Sequence, residues 1–412
     1  KKNISKIDNS DKLFFAVLTF FPLGLILGNL IINLLFFLLS ISFFLNFKSN
    51  KYYIKNNIII LLSFFFTSLL INLIFSLYPI NSILRIIKIF FIILFIIETL
   101  RIFQKYNERL LSNIFLVWSL LVIIVLLDCI FEILFGFNSL GFSAQMPGRI
   151  ASFFGDELVV GAFIHAFSLF FISYLIIKNS NNYIISLAIL GIIIVSFLIG
   201  ERSNFIKLFI SIIIFSIFAF RVNIFHKILT FFILIGLILG VLNFNEEYKY
   251  RYYGQIQNLY KENGLIYYYK NSQYGAHQNT AIKIFKEYPL FGVGVKNFRH
   301  ESIKDKYKNL KIGVNHAKQS THPHQVHLEF LSETGIFGYL SFIIFIFLSL
   351  VIGIKSFRKN KNIFQLAGIV FILTSLMPIL PSGSFLSTFN GSIFWINFSI
   401  MMGYCKVSKS KL

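Results

Sequence analysis

Charged residues are scarce in this sequence of 412 residues. Asp, Glu, Lys and Arg together make up 13% of the chain, about half of the share that is typical of a soluble domain. Hydrophobic residues make up 56%, and they lie in runs long enough to cross the hydrocarbon of a bilayer. The scarcity of charge therefore excludes an ordinary soluble protein and predicts an integral membrane protein.

Several other signals are also missing. The two cysteines, Cys129 in a hydrophobic run and Cys405 near the C-terminus, do not support a disulfide framework. No Gly-rich phosphate loop, soluble nucleotide-binding domain or internal repeat is present, which argues against an ATP-driven transporter. The net charge is +21, but the charged residues lie between hydrophobic runs and no nucleic-acid motif is present. No nucleic-acid partner is therefore expected. The first apolar stretch lacks a small-residue cleavage site, and no cleavable signal peptide is expected.

The apolar runs predict an all-α, polytopic membrane protein with about twelve transmembrane helices. The predicted spans are 13–28, 29–47, 57–77, 83–100, 110–135, 157–177, 183–199, 204–220, 224–243, 327–354, 362–380 and 390–405.

Basic residues follow every second span, as Lys48 and Arg101 illustrate, whereas the opposite short connections hold only Arg149 and Arg202. Because positive charge is retained on the cytoplasmic side, both termini are predicted to be cytoplasmic. The long segment 243–326 is then periplasmic.

The chain therefore divides into helices 1–9 over residues 1–242, a large periplasmic loop over 243–326, and helices 10–12 with a cytoplasmic tail over 327–412. The loop holds five of the eight histidines. Within it, Thr280–Glu287 is predicted to form a short amphipathic helix that ends before Pro289. The two glycines that follow predict a tight backbone path.

Ionisable residues at the membrane favour a functional interpretation, because burying charge in lipid is costly. Arg202, in a short outer turn, is either an ordinary loop residue or an anion clamp. Arg85 and Lys88 share one helix face, and they either snorkel to headgroups or line a cavity for an anionic lipid. Asp128 and Glu132 share a face of the next helix, and a structural ion pair with Arg85 or Lys88 is expected.

Histidines recur where the loop meets span ten, in Thr321-His322-Pro323-His324-Gln325-Val326-His327-Leu328-Glu329. Three histidines in six residues invite a metal site, although zinc prefers a fourth ligand. A polar loop with incidental histidines is a second interpretation. The third is a general base, because imidazole titrates near neutral pH and can take a proton from a sugar hydroxyl. His165, deeper in a span, is expected to be a packed and satisfied histidine.

Four segments of the chain resemble the bacterial O-antigen ligase and O-antigen polymerase superfamily of membrane glycosyltransferases. In chain order they are RIASFFGDELVVGAF, GERSNF, PLFGVGVKNF and HPHQVHLEFLSETGIFGYL. The resemblance implies transfer of a glycan from undecaprenyl pyrophosphate to a sugar hydroxyl, at the periplasmic face of the inner membrane. The acceptor is lipid A–core or a growing glycan, membrane lipids surround the enzyme, and neither a cofactor nor a metal is expected.

The resemblance also implies roles for individual residues. His324 matches the motif histidine and would be the base. Arg202 matches the arginine after span seven and would bind the pyrophosphate, with Arg251 as the nearest match to a second arginine in the large loop. Arg85 and Lys88 join these as pyrophosphate-binding candidates. The remaining supporting residues are Glu333, which lies in a Glu-x-Gly-x-x-Gly element, and His322 and Gln325, which flank the base.

Three functions remain open. They are ligation onto lipid A–core, polymerisation of repeat units on the lipid carrier, and transport or flipping of a lipid-linked oligosaccharide. Flippases often have internal repeats and charged midplane residues. This chain instead concentrates its polar residues at one face and in one outer loop, which favours glycosyl transfer.

Overall fold

The structure is a computed structural model that describes residues 6–146, 148–155, 157–219, 236, 246–254, 257, 272–307, 320–378 and 380–405, apart from the side chains of Glu247 and Arg251. Within these ranges the regular elements are helical, so the predicted fold class is confirmed. The main helices are α1 (Lys12–Thr19), α2 (Phe21–Leu27), α3 (Asn29–Leu45), α4 (Phe47–Ile54), α5 (Asn57–Ile74), α6 (Pro79–Lys105), α7 (Glu108–Phe135), α8 (Val160–Ile177), α9 (Asn182–Leu198), α10 (Arg202–Ala219), α11 (Gln273–Glu287), α12 (Val326–Asn360), α13 (Ile363–Ser375) and α14 (Thr388–Gly403).

Six helices of the described ranges, α5, α6, α7, α8, α10 and α12, are long and apolar enough to cross a membrane. The number rises to eight if two bent pairs each form one span: Asn9–Thr19 with α2, bent by 46°, and α3 with α4, bent by 96°. The shorter apolar helices α9 and α13 coincide with two further predicted spans. Predicted span 224–243 lies outside the described residues. The chain is therefore a multi-pass membrane protein, while the count of twelve and the orientation remain predictions.

Aromatic packing joins the helices in the core. Phe115 of α7 stacks on Phe364 of α13 with ring centroids 3.8 Å apart. Phe65 of α5 stacks on Phe345 of α12 at 5.6 Å. Trp118 is fully buried and donates from Nε1 to the Leu18 carbonyl at 3.0 Å. Such close packing stabilises helix association where lipid removes much of the hydrophobic driving force.

A buried ionic cluster ties the start of the chain to α6. Arg101 donates to Asp11 and, at 2.6 Å, to Glu98, while Lys105 contacts Asp11 at 2.5 Å. Glu98 also accepts from the Asn50 amide of α4 at 2.7 Å. Each buried charge thus has an opposite charge and hydrogen bonds, which is the condition for a tolerable buried ion pair.

The segment Pro289–Phe298 crosses a break in α12 at Gly335. Gly335 has φ 64° and ψ −170°, a conformation that is essentially restricted to glycine. Gly292 and Gly294 also have positive φ, of 67° and 103°, so the predicted tight path is confirmed. The crossing is secured by backbone hydrogen bonds from Ile336 to Pro289, Val293 to Ser332, and Gly294 to Glu333, at 2.8–3.0 Å.

The loop helix predicted at 280–287 is confirmed, and it begins seven residues earlier, as α11. Ser272 caps it by accepting from the Gly275 amide at 3.0 Å, a contact that stabilises helix N-termini. Its buried face, which includes Ala281 and Ile284, packs on Val293, Phe298 and Tyr307. This small hydrophobic cluster holds the described part of the loop against the membrane helices.

Candidate functional site

His324 lies two residues before α12 in a strained backbone conformation. Its φ is 53°, which is uncommon for a residue other than glycine and recurs at functional sites. The Ser382 amide donates to the His324 carbonyl at 2.9 Å. Three rings surround the imidazole, with centroids 4.0 Å away for His322, 4.9 Å for Tyr274 and 5.2 Å for His277.

Burial lowers the pKa of two motif histidines, His324 and His322. It lowers the pKa of His324 to about 4, and the neighbouring His277 adds to the effect. Burial also lowers the pKa of His322, together with the positive charge of His324, Lys296, His277 and Arg299 in decreasing order. Because burial disfavours the charged form, the His324 ring is neutral near pH 7 and able to accept a proton.

The residues next to His324 anchor it to the linker between α13 and α14. Gln325 caps α12 by accepting from the Leu328 amide at 2.7 Å, and it donates to the Pro378 carbonyl at 2.8 Å. His327 has other partners, because its Nε2 contacts the Leu376 carbonyl at 2.9 Å and its Nδ1 contacts the Tyr339 hydroxyl at 3.2 Å. Within the described part of the chain, no group of three His, Cys, Asp or Glu is arranged to hold a metal ion. The three motif histidines therefore do not converge as a metal site requires.

The linker, residues 376–387, was not identified from the sequence. It gathers contacts from distant helices: Lys207 of α10 donates to the Pro381 carbonyl at 3.0 Å, and Lys296 donates to the Ser384 hydroxyl at 2.7 Å. Glu329 of α12 accepts from the Ser384 hydroxyl. The backbone that fixes His324 is thus itself held by two buried lysines.

A cavity of about 490 Å³ lies between α3, α6 and the start of α14. Four basic side chains line it: Arg85, Lys88, Lys296 and Arg299. An apolar part of the lining includes Phe36 and Phe37 of α3 and Phe91 of α6. A pocket with convergent cations and an apolar wall is suited to an amphiphile with an anionic headgroup.

Arg85 and Lys88 reach the cavity from one face of α6. Arg85 donates from Nη1 to the Thr388 hydroxyl at 2.8 Å, and Lys88 lies 3.4 Å from the Thr388 carbonyl. Both residues therefore line a cavity, while an anionic lipid headgroup as its ligand stays a prediction. The expected ion pair with Asp128 or Glu132 is wrong.

The two carboxylates of α7 instead bind the segment before α8. Asp128 accepts from the Ser152 hydroxyl at 2.6 Å, and Glu132 accepts from the Ser152 amide at 2.6 Å. Backbone amides satisfy a carboxylate as a cation does. Sequence spacing placed both acids on one face correctly but could not identify their partner.

Lys296 links the cavity to the histidines. Its side chain is buried and its φ is 66°, while its amide donates to Glu333 Oε2 at 2.6 Å. Glu333 also accepts from the Phe298 amide at 3.3 Å, so this carboxyl group shapes the segment that carries Lys296. Burial lowers the pKa of Lys296, and the nearby Glu329 and Glu333 oppose this shift. An anion in the cavity would favour the charged ammonium.

Of the other predicted arginines, only Arg202 can be compared with this cavity over its whole side chain. Arg202 is the first residue of α10 and is not among the residues that line it. Arg251 lies on the π-helical turn Tyr250–Gly254, and its side chain lies outside the described residues. His165 is a satisfied core histidine, as expected, because its Nε2 lies 3.1 Å from the Ser211 hydroxyl and 3.0 Å from that of Thr374.

Sequence reasoning missed four residues of this region: Tyr274, His277, Lys296 and Arg299. Lys296 lies in PLFGVGVKNF, a segment that carries the family resemblance. No feature of the sequence indicated that its side chain lines the cavity. Tyr274 and His277 belong to the unassigned first half of α11, and no local pattern distinguishes them. Only the packing of α11 on α12 brings them to His324.

Comparison with known proteins assigns part of the chain to a family model. Residues 185–343 match the family model described as O-Antigen ligase. No curated protein matches the chain. The matched range includes Arg202, His277, Lys296, His324 and Glu333. The match supports the resemblance seen in the motifs, over residues 185–343.

Proposed function

We propose that this protein is an O-antigen ligase-like glycosyltransferase. It moves a glycan from undecaprenyl pyrophosphate to a sugar hydroxyl of lipid A–core, at the periplasmic face of the inner membrane. The observation that carries the proposal is the position of Lys296. Its side chain lines the cationic cavity. Its positive charge also contributes to the lowered pKa of His322, which lies beside the neutral His324.

The reaction is a single displacement. His324 takes the proton of the acceptor hydroxyl, and the hydroxyl oxygen attacks the anomeric carbon of the donor glycan. The new glycosidic bond forms as the bond from that carbon to the phosphate oxygen breaks, and undecaprenyl pyrophosphate leaves with the bonding electrons. Base and leaving group lie on opposite faces, so the anomeric configuration inverts. A covalent glycosyl-enzyme intermediate would contradict this mechanism.

Basic side chains stabilise the leaving pyrophosphate. Arg85, Lys88, Lys296 and Arg299 present positive charge in one cavity, and preorganised charge of this kind stabilises a developing anion. In this scheme the cavity's apolar wall contacts the first part of the lipid chain. The cations supply the charge that a metal supplies elsewhere, and the reaction is proposed to be metal-independent.

Arg202 and Arg251 are proposed as further pyrophosphate contacts, on the α10 side of the linker. Lys207 of the same helix bonds to the Pro381 carbonyl, next to the Ser382 amide that fixes His324. The linker thus contacts both α10 and the backbone of His324. Glu333, His322 and Gln325 support the site by shaping the backbone and the surroundings of His324.

The experiment is a lipopolysaccharide gel from a strain that lacks the gene, complemented with wild type, His324→Ala or His327→Ala. His327 is the matched control, because it belongs to the same motif but faces Leu376. We expect the deletion strain to show core without O-antigen while polymer accumulates on the lipid carrier. Wild type and His327→Ala restore the ladder, and His324→Ala does not, at equal abundance in the membrane.

Two other outcomes would overturn the ligase assignment. Core that carries a single repeat unit in the deletion strain would identify a polymerase, with the same chemistry and a growing glycan as acceptor. An unchanged ladder would exclude lipopolysaccharide and favour another glycan or a transport function. A ladder restored by His324→Ala would refute the base assignment alone.

A further inference from the structure

His277 is buried against His324. It lies on α11, and only 2% of its surface is exposed. Its ring is nearly parallel to that of His324, with an interplanar angle of 24° and centroids 5.2 Å apart. Tyr274, three residues earlier and hence on the same helix face, lies 4.9 Å from His324. One face of α11 therefore forms a wall beside the proposed base.

The groups around His324 come from two elements. His277 and Tyr274 lie on α11. His322 lies in the segment that carries His324, and the centroids of these two rings are 4.0 Å apart. Beyond His322, Lys296 and Arg299 add positive charge. Two imidazoles this close disfavour a second proton, because like charges repel strongly when they are partly removed from water. The His277–His324 pair therefore takes up one proton more readily than two.

We propose that His277 is a positioning residue for His324. Its ring stacks on His324 and fixes the direction in which the base faces the acceptor. It also competes with His324 for a proton, so that His324 stays neutral as the surroundings become acidic. This inference rests on the proposed function, in which His324 is the general base.

The stacked arrangement suits an enzyme that faces the periplasm, where the pH follows the medium. A lone imidazole would lose its basic form through direct protonation. With His277 beside it, positive charge on the neighbouring ring opposes protonation of His324.

The test measures glycan transfer by the purified full-length protein in nanodiscs as a function of pH, with lipid-linked glycan and lipid A–core as substrates. The variants are His277→Gln, which keeps a polar side chain, His277→Phe, which keeps a stacked ring, and the control His327→Phe. We expect the ratio of acidic to neutral activity to fall at least about threefold in both His277 variants, equivalent to half a pKa unit. The control follows the wild-type profile.

The result that would overturn the inference is a wild-type pH profile in both His277 variants, even with a lower rate at every pH, because that pattern indicates packing alone. A shift of the acid limb to lower pH would also overturn it. Thermal unfolding of each variant separates loss of fold from loss of function. If His324→Ala is fully active, the proposed base fails. If His324 is essential and the His277 profiles are unchanged, only this inference fails.

Discussion

Two side chains of the candidate site, those of His324 and Lys296, project from left-handed backbone. Their φ angles are 53° and 66°, and such conformations cost on the order of 1–3 kcal/mol unless the surroundings hold them. Here the Ser382 amide holds His324, and Glu333 accepts the Lys296 amide at 2.6 Å. Strain therefore coincides with the residues that are proposed to carry out the chemistry, and two specific hydrogen bonds maintain it.

The role of Glu333 can be tested with Glu333→Gln. The amide retains one acceptor oxygen where the carboxyl group has two, so either the Lys296 or the Phe298 amide loses its buried partner. Leaving such a donor unsatisfied lowers the free energy of unfolding by about 1–3 kcal/mol. Thermal unfolding in detergent measures this as a lower midpoint temperature. The exposed Glu157→Gln is the control, and an unchanged midpoint in Glu333→Gln would exclude the shaping role.

At the scale of elements, the break in α12 does more than bend a helix. It leaves room for Pro289–Phe298 to cross and to form backbone hydrogen bonds with the α12 residues on both sides of the break. That crossing brings Lys296 into the cavity beside Arg85 and Lys88. The Glu-x-Gly-x-x-Gly element therefore forms a junction, which is the set of backbone contacts between the loop and the helix that follows His324.

Gly335→Ala tests this junction. A Cβ atom at Gly335 would lie 2.3 Å from the Leu290 carbonyl oxygen, and the backbone conformation alone costs on the order of 1–3 kcal/mol for alanine. We expect a lower unfolding midpoint and loss of glycan transfer. The control is Gly191→Ala in α9, where a Cβ atom meets nothing within 4 Å and alanine favours the helix by about 0.5–1 kcal/mol. Equal behaviour of the two variants would contradict the junction.

At the scale of the whole molecule, basic residues lie near both ends of α6. Arg101 and Lys105, at the end of α6, join the ionic cluster with Asp11. Arg85 and Lys88, near the beginning of the same helix, line the cavity. Because α6 is long enough to cross the bilayer, we expect these two groups to lie at opposite membrane faces.

Cysteine labelling tests which face is which. Both native cysteines are buried, so a single exposed cysteine reports its own location. Lys286→Cys on α11 is expected to react with a membrane-impermeant maleimide in cells with a permeabilised outer membrane. Lys48→Cys, in α4, is expected to react only after the inner membrane is opened. The reverse pattern would place the loop in the cytoplasm and exclude a periplasmic active site.

Part of the candidate site was accessible from the sequence, for reasons that differ between residues. His324, Arg202 and Glu333 lie in short segments whose order resembles a known family. Arg85 and Lys88 stood out because charge is rare in an apolar helix. The partner of Asp128 and Glu132 was assigned wrongly, because helical spacing identifies a shared face but not the element that packs on it.

By itself, the sequence determined that this chain is an all-helical membrane protein with a histidine motif at the end of a polar loop. Hydrophobic run length, helical period and motif order are local properties, and they can be read without coordinates. The tertiary structure alone decided the contents of the site. Arg85 meets Thr388 across 303 positions of sequence, and His277 meets His324 only because α11 packs on α12. Contacts of this kind depend on how helices pack together, which no local pattern specifies.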